Sequence, residues 1–445
     1  MRWGLFLLAA ACGSSDPPCD VDTNFGCPTE LSCSTVSGRE QPACVTPVVV
    51  RGKITNSATG AAIEGARVVA VGEDGAPLAA AAETIFDGSY EIRVVGARDS
   101  AEKPLSKPIR LHAAAPGYGN FPDVWRDWPS TDLVGARLTQ EMDKYVLAST
   151  TTDVKLIAFA GGPGRGVIRG RVDRPPNGVA VTVVAESDQS IGGRPRGVSA
   201  IADRDGGYAL FGLPPAQLRV RAYAKGASYG QRMIGLNTGE ETTLDLELDG
   251  TPAAVVSGAV EIASGAPAQV SLVVASTWDP ASSAGDEPAG LRASVGAGGS
   301  YSIGGVSAGQ YLLVSRDADG FVPIDEPPAV EVSGAAVTVA GRFRLVPALT
   351  VLAPGANGPE GVRQAPELSW QDHGAEASYR LEVWNAIGLR VFERDLPAAT
   401  APPEVGYDGP LIVGQTYRFQ ARALDPQGAL LTRTEDRRGV FYLVP

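Results

Sequence analysis

The sequence predicts an all-β chain: a string of β-sandwiches after a short cysteine-rich N-terminal segment. Three observations predict it. Apolar residues alternate with polar ones over short runs, the period of a half-buried strand. Gly (54) and Pro (34) punctuate those runs in a chain of 445 residues. One strand–turn–strand pattern recurs three times. With 44% hydrophobic residues there is enough apolar surface for real cores. Composition also excludes functions. A net charge of −12 argues against sequence-independent nucleic-acid binding, which runs on clustered positive charge. Two histidines in the whole chain rule out most catalytic zinc sites and limit acid–base chemistry. No cofactor or metal is expected.

Residues 1–11 hold one positive charge, Arg2, then a short apolar run ending in Ala9, Ala10 and Ala11, followed by Cys12. A membrane span needs about 20 apolar residues, so this run is an address rather than a span. It resembles a bacterial lipoprotein signal. The resemblance implies cleavage before Cys12, lipidation of that cysteine, and a cell-envelope location, in the outer membrane of a Gram-negative bacterium. Residues 12–45 then form a tether and a cysteine-rich module. Cys19, Cys27, Cys33 and Cys44 read as two disulfides with three connectivities open. A segment this small needs such bridges, because it cannot fold on a core alone.

The repeat organises residues 46–161, 166–250 and 253–347. The units open on Val50-Arg51-Gly52-Lys53-Ile54, Ile168-Arg169-Gly170-Arg171-Val172 and Val256-Ser257-Gly258-Ala259-Val260. Alternating runs come after: Ala66, Val68, Ala70; Val179, Val181, Val183; Val270, Leu272, Val274. Each unit then reaches a tight turn and a tyrosine: Asp87-Gly88-Ser89-Tyr90, Asp205-Gly206-Gly207-Tyr208 and Gly298-Gly299-Ser300-Tyr301. Asp-Gly and Gly-Gly supply the positive φ that such a turn needs. A glycine–aromatic corner comes next, at Gly117-Tyr118, Gly226 to Tyr229, and Gly320-Phe321. Each unit closes on one more alternating run, starting at Val154, Leu244 and Val337. Leu133 to Leu147 is the one stretch read as a short helix. Residues 161–166, 250–253 and 347–350 read as linkers.

The order Gly-x-Val, Asp-Gly-x-Tyr, Gly212-Leu213-Pro214-Pro215, then the aromatic corner, resembles the carboxypeptidase regulatory-like domain. The resemblance covers about two thirds of the chain. It implies Ig-like, transthyretin-like sandwiches of seven strands, related to starch-binding folds and without catalysis of their own. Residues 348–445 differ. Trp370, the alternation Tyr379, Leu381, Val383, and Leu411 six residues before Tyr417 resemble a fibronectin type III domain. There the tyrosine hydroxyl bonds back to the backbone at a strand corner, so Trp370 and Tyr417 are expected in the core.

Several motifs invite chemistry. Gly226-Ala227-Ser228-Tyr229-Gly230 matches the hydrolase elbow GxSxG, yet residues 231–243 read as loop and then strand, not the helix that elbow needs. Asp203-Arg204-Asp205-Gly206 and Asp317-Ala318-Asp319-Gly320 resemble the opening of a calcium loop, but Asp before Gly is ordinary turn chemistry. Gly162-Pro163-Gly164 lacks the helix of a nucleotide loop and reads as linker. His112 sits in a strand pattern and His373 in a loop. Tyr118, Phe121, Trp125 and Trp128 fall in eleven residues with carboxylates between them, which suits a carbohydrate platform; the competing reading is rings that cover the end of the first sandwich. The sequence therefore reads as a non-catalytic surface lipoprotein, a structural, adhesive or scaffolding rod held to the membrane by its lipid. Its partners would be extracellular polysaccharide or envelope proteins. The alternatives are a carbohydrate-binding lipoprotein and, on the family name alone, an accessory subunit of a secreted peptidase.

Overall fold

The computed structural model describes residues 19–21, 24–73, 75–122, 131–139, 144–158, 165–175, 178–191, 194–250, 254–262, 269–278, 285–296, 298–316, 320–334, 336–339, 344–372, 374–385, 390–398, 402–413, 415–435 and 438–444. Cys12, Trp125, Trp128, Gly162, Gly164, Asp317, Asp319 and His373 lie outside them. Among the described residues the chain is all β, in tandem sandwiches, with two short 3-10 turns.

The three repeats share one pairing scheme. In the first, Val48–Asn56 pairs antiparallel with Ser89–Val94 and parallel with Val154–Leu156. In the second, Gly166–Arg171 pairs antiparallel with Gly207–Leu213 and parallel with Glu241–Thr243. In the third, Ala254–Ala259 lies likewise between Ser300–Val306 and Val337–Thr338. This register explains the motif. The opening glycine of each unit stands directly opposite its tyrosine: Gly52 and Tyr90, Gly170 and Tyr208, Gly258 and Tyr301. A Cβ at Gly170 would sit 1.9 Å from the Leu244 carbonyl oxygen, and one at Gly52 would sit 2.0 Å from that of Thr152. The Tyr90 and Tyr208 hydroxyls donate to those same two carbonyls, at 2.6 and 2.5 Å. Glycine leaves the space, and the tyrosine ties the end of the unit to its first strand. Burial raises both phenols above the ordinary tyrosine range.

The facing sheets carry the alternating runs. Arg67–Gly72, Thr182–Ile191 and Gln269–Val274 are each flanked by two partner strands. Val68 and Ala70, Val183 and Ala185, and Val270 and Leu272 point into three separate cores. Each fully buried valine or leucine contributes about 1.5–3 kcal/mol. These strands were expected to be half-buried, and here the structure differs. Their second faces are buried as well, because another sandwich or loop covers them. Val184 joins the third core beside Tyr223. Val273 packs with Leu312 and Val314 against Trp278.

The helix expected within Leu133–Leu147 is corrected. The chain makes a 3-10 turn at Leu133–Gly135 and strands at Arg137–Thr139 and Lys144–Leu147. Gly135 disfavours a longer helix. Tyr145, Val146 and Leu147 instead extend the first sheet, parallel to Val48, Val49 and Val50.

The fourth unit holds a three-stranded sheet facing a six-stranded one, whose centre is Thr416–Leu424 and Ser378–Asn385. Trp370 and Tyr417 are fully buried. Trp370 meets Tyr379 edge-on at 5.4 Å. The Tyr417 hydroxyl accepts the Ile412 N–H at 3.0 Å and donates to Gln415 at 3.1 Å. Residues 347–350, expected as a linker, are bonded into this unit: Thr432 donates to the Pro347 carbonyl at 2.5 Å, and the Leu349 N–H to that of Arg433 at 2.9 Å. Trp384 and Val440, from its six-stranded sheet, are buried in the same cluster as the first core.

At the N-terminus the bridges are Cys19–Cys33 and Cys27–Cys44. They staple a two-stranded ribbon, Ser32–Ser34 with Ala43–Val45. The module docks on the first sandwich at Arg98, which is fully buried: the Arg98 N–H donates to the Thr35 carbonyl at 2.9 Å, and the Ser37 N–H to the Arg98 carbonyl at 3.0 Å. Arg98 donates to the Thr46 carbonyl at 2.8 Å and lies 5.6 Å from the Tyr145 ring centre.

Candidate functional site

The polar groups that sequence reading singled out are mostly spent on structure. Asp203 is the clearest case. One carboxylate oxygen accepts the Asp205 and Gly207 N–H groups, both at 2.9 Å, which closes the turn before Tyr208. The other accepts Arg67 at 2.6 Å and the Ala81 N–H at 3.1 Å, both from the first sandwich. Arg67 also donates to the Gly207 carbonyl at 2.6 Å. The pair is buried, with side chains 13% and 8% exposed. A carboxylate held by four donors is an interdomain clamp rather than a calcium ligand. Nothing in the sequence around Arg67 marks it as the partner; it is one charge at the start of an apolar strand.

Ser228 of the GxSxG run is buried and donates to Asp249 at 3.2 Å. Tyr229 donates to the Asp173 carbonyl at 2.7 Å, and the Gly226 N–H to the Gly305 carbonyl of the third unit at 2.7 Å. The run is a strand corner that touches its neighbour, not an elbow.

The proposed aromatic platform is also corrected in part. Phe121 is 3% exposed and belongs to the first core, so it is no part of a surface platform, though it also lines a cavity between sandwiches. Tyr118 is half-buried against that core, and its hydroxyl accepts from Asn56 at 3.3 Å. The Phe121 backbone pairs with Ala113 of the first sandwich, in keeping with the competing reading of rings that cover that sandwich.

The structure brings together a site that the sequence did not suggest. A cavity of about 170 Å³ lies where the first three sandwiches meet. Val69, Val71 and His112 come from the first unit, Thr182, Ser199 and Ile201 from the second, and Asp286, Glu287 and Arg292 from the third. Each strand is positioned by its own core, and its outward face supplies the wall. The junction is bonded around the cavity. Ser199 donates to Asp286 at 2.6 Å, and Asn120 to the Ser199 carbonyl at 3.3 Å. Nearby, Ser276 donates to Glu186 at 2.7 Å, and Tyr223 meets Tyr311 edge-on at 5.8 Å. Burial, with the Arg110 charge beside it, pushes His112 down to about 4. Its imidazole is therefore neutral at physiological pH.

No family model matches the chain, and no curated protein matches it. Solved structures found similar include the TIE protein of Bacillus anthracis, at 13% identity over 93% of this chain and 73% of that one, with a TM-score of 0.17. Two B repeat units of the collagen-binding protein of Staphylococcus aureus align at 9% identity over 89% of this chain and 98% of that one, with a TM-score of 0.20. A minor pilin of Streptococcus agalactiae aligns at 13% identity over 42% of this chain and 100% of that one, with a TM-score of 0.19.

Proposed function

We propose that the protein is a non-catalytic cell-envelope lipoprotein whose sandwiches act as a structural, adhesive or scaffolding body. One observation carries this reading: the residues that resemble catalytic or metal-binding motifs hold sandwiches together, above all Asp203 with Arg67. An enzyme leaves such groups facing a substrate; a scaffold spends them on stiffness. The N-terminal module extends that stiffness toward the membrane, because two disulfides brace it internally and backbone bonds of Arg98 to Thr35 and Ser37 fix it to the first sandwich. Cys12 supplies the anchor and its lipid the membrane partner.

Intact mass of the mature protein tests the anchor. The expected result is acyl chains on Cys12, and release from membranes in Cys12→Ser. A full-length protein that stays soluble without acyl mass defeats the anchored reading. The scaffold reading is tested by cross-linking and pull-down from intact envelopes. Capture of envelope proteins or polysaccharide supports it, and turnover of a peptide or ester library by the purified chain overturns it.

A further inference from the structure

We propose that the cavity at the junction of the first three sandwiches is a binding site for a small, neutral, polyhydroxylated ring of monosaccharide size. A scaffold needs no such site, so this goes beyond the structural reading. It shares Phe121 with the aromatic stretch but differs from a surface platform, because the walls here come from three units.

Size is the first argument. A water needs about 10–15 Å³ of cavity, so about 170 Å³ admits on the order of ten waters or one sugar ring. Placement is the second, since ligand sites gather in polar-rimmed apolar clefts between domains.

Charge decides the class of ligand. Three arginines, Arg67, Arg110 and Arg292, and three carboxylates, Glu73, Asp286 and Glu287, line the cavity, so their formal charges cancel, and several are engaged by the protein. Arg67 holds Asp203 at 2.6 Å, Arg292 lies 3.3 Å from Glu287, and Asp286 accepts Ser199 at 2.6 Å. A charged ligand would meet no net opposite charge, and drawing Arg67 away from Asp203 would strand a buried carboxylate, which is costly. A hydroxyl both donates and accepts, so it can join an occupied pair without displacing it. The remaining polar wall, His112, Asn120 and Thr182, is uncharged at neutral pH and suits hydroxyls equally. Val69, Val71 and Ile201 offer an apolar surface for the C–H face of a sugar ring. Because three units contribute, an occupied cavity would hold them in one arrangement and stabilise the junction by mass action.

The test uses the full chain in ligand-observed NMR and calorimetry. The probes are D-glucose, D-galactose and N-acetyl-D-glucosamine, with D-glucuronate and D-glucosamine as charged counterparts. Saturable binding of at least one neutral sugar is expected, about tenfold tighter than its charged counterpart. Ala289→Phe, which fills the cavity lip, should weaken it at least about tenfold. Thr182→Val, which keeps the shape and removes one hydroxyl, should weaken it by about threefold to tenfold. Trp125→Ala/Trp128→Ala should leave it unchanged. Absence of neutral-sugar binding overturns the proposal. So does preference for a charged sugar, or an Ala289→Phe variant that is folded by circular dichroism yet binds as before. Loss in the double tryptophan variant with retention in Ala289→Phe moves the site to the aromatic stretch and refutes the cavity. None of these outcomes bears on lipidation, which the mass measurement tests separately.

Discussion

The Tyr208 hydroxyl and the Asp203 carboxylate belong to one hairpin, yet they work at different levels. Tyr208 acts inside its own sandwich: it stands opposite Gly170 and bonds the Leu244 carbonyl. Its counterpart Tyr90 does the same with Gly52 and Thr152. Asp203 closes its turn and then reaches out of the sandwich to Arg67. The first contact is set by β-register and is shared by the first two units; in the third, Tyr301 keeps the register opposite Gly258, but its buried hydroxyl makes no such bond. The second depends on how two finished sandwiches meet, and the first unit has no acidic equivalent at that place in its turn, where Ile85 stands. Repeated residues in this chain therefore build units, and unrepeated ones join them.

Four measurements break or sharpen that contrast. The largest effect is expected from Asp203→Ala. It leaves Arg67 buried without its carboxylate and removes two turn bonds, so denaturant unfolding of the full chain should show a loss of about 3–5 kcal/mol. A loss below about 1 kcal/mol would mean the junction is not a buried clamp.

The next is a pH effect. His112 has its proton affinity lowered to about 4 in the folded chain, against about 6.5 unfolded. The unfolded state therefore binds the extra proton between those values. Stability is complete above about pH 6.5 and is lost as pH falls towards 4, by at most about 3 kcal/mol. Arg67, Glu73, Arg110, Asp286, Glu287 and Arg292 line the same cavity. The comparison with His112→Asn across that window isolates the imidazole. Parallel melting curves for the two proteins would remove it from the junction's energetics.

Inside the sandwich the effects are smaller. Tyr208→Phe and Tyr90→Phe each take a donor from a buried carbonyl, so each should cost about 1–2 kcal/mol by chemical denaturation. Similar losses in both would support a shared device; a cost in one alone would show that the repeat is a likeness of sequence only. The smallest effect belongs to the exposed pair Arg380–Asp395 at 2.9 Å. With both side chains mostly in water, Arg380→Ala should cost no more than about 0.5 kcal/mol and nothing measurable at high salt.

Much of each sandwich was legible because strand period and turn chemistry are local. The buried Val68, Val183 and Val270 were readable from alternation, and Gly88, Gly206 and Gly299 adopt the positive φ that their turns suggested. Trp370 and Tyr417 were readable as core, since large rings beside alternating strands have few other places to go. The helix at Leu133–Leu147 misled because a mixed apolar run fits either period until a partner strand claims it; Val48, Val49 and Val50 are that partner. For Phe121 two readings stayed open, because its pairing with Ala113 joins segments whose contact no spacing reveals. The cavity was invisible for the same reason. Its walls are the outward faces of strands read as half-buried, and its charged groups come from the first and third units.

The sequence by itself determined the all-β class, the repeating units, the strand faces and the four bridge-forming cysteines. Each of these rests on neighbours along the chain or one turn away: a period of two, a glycine that frees φ, cysteines crowded into one small segment. The tertiary structure alone decided which cysteines pair, which second faces are buried, that Asp203 meets Arg67, and that three sandwiches line one cavity. Those outcomes rest on the fit between surfaces that form only after each unit has folded. Their energy comes from desolvating groups far apart in sequence, and no local pattern encodes it.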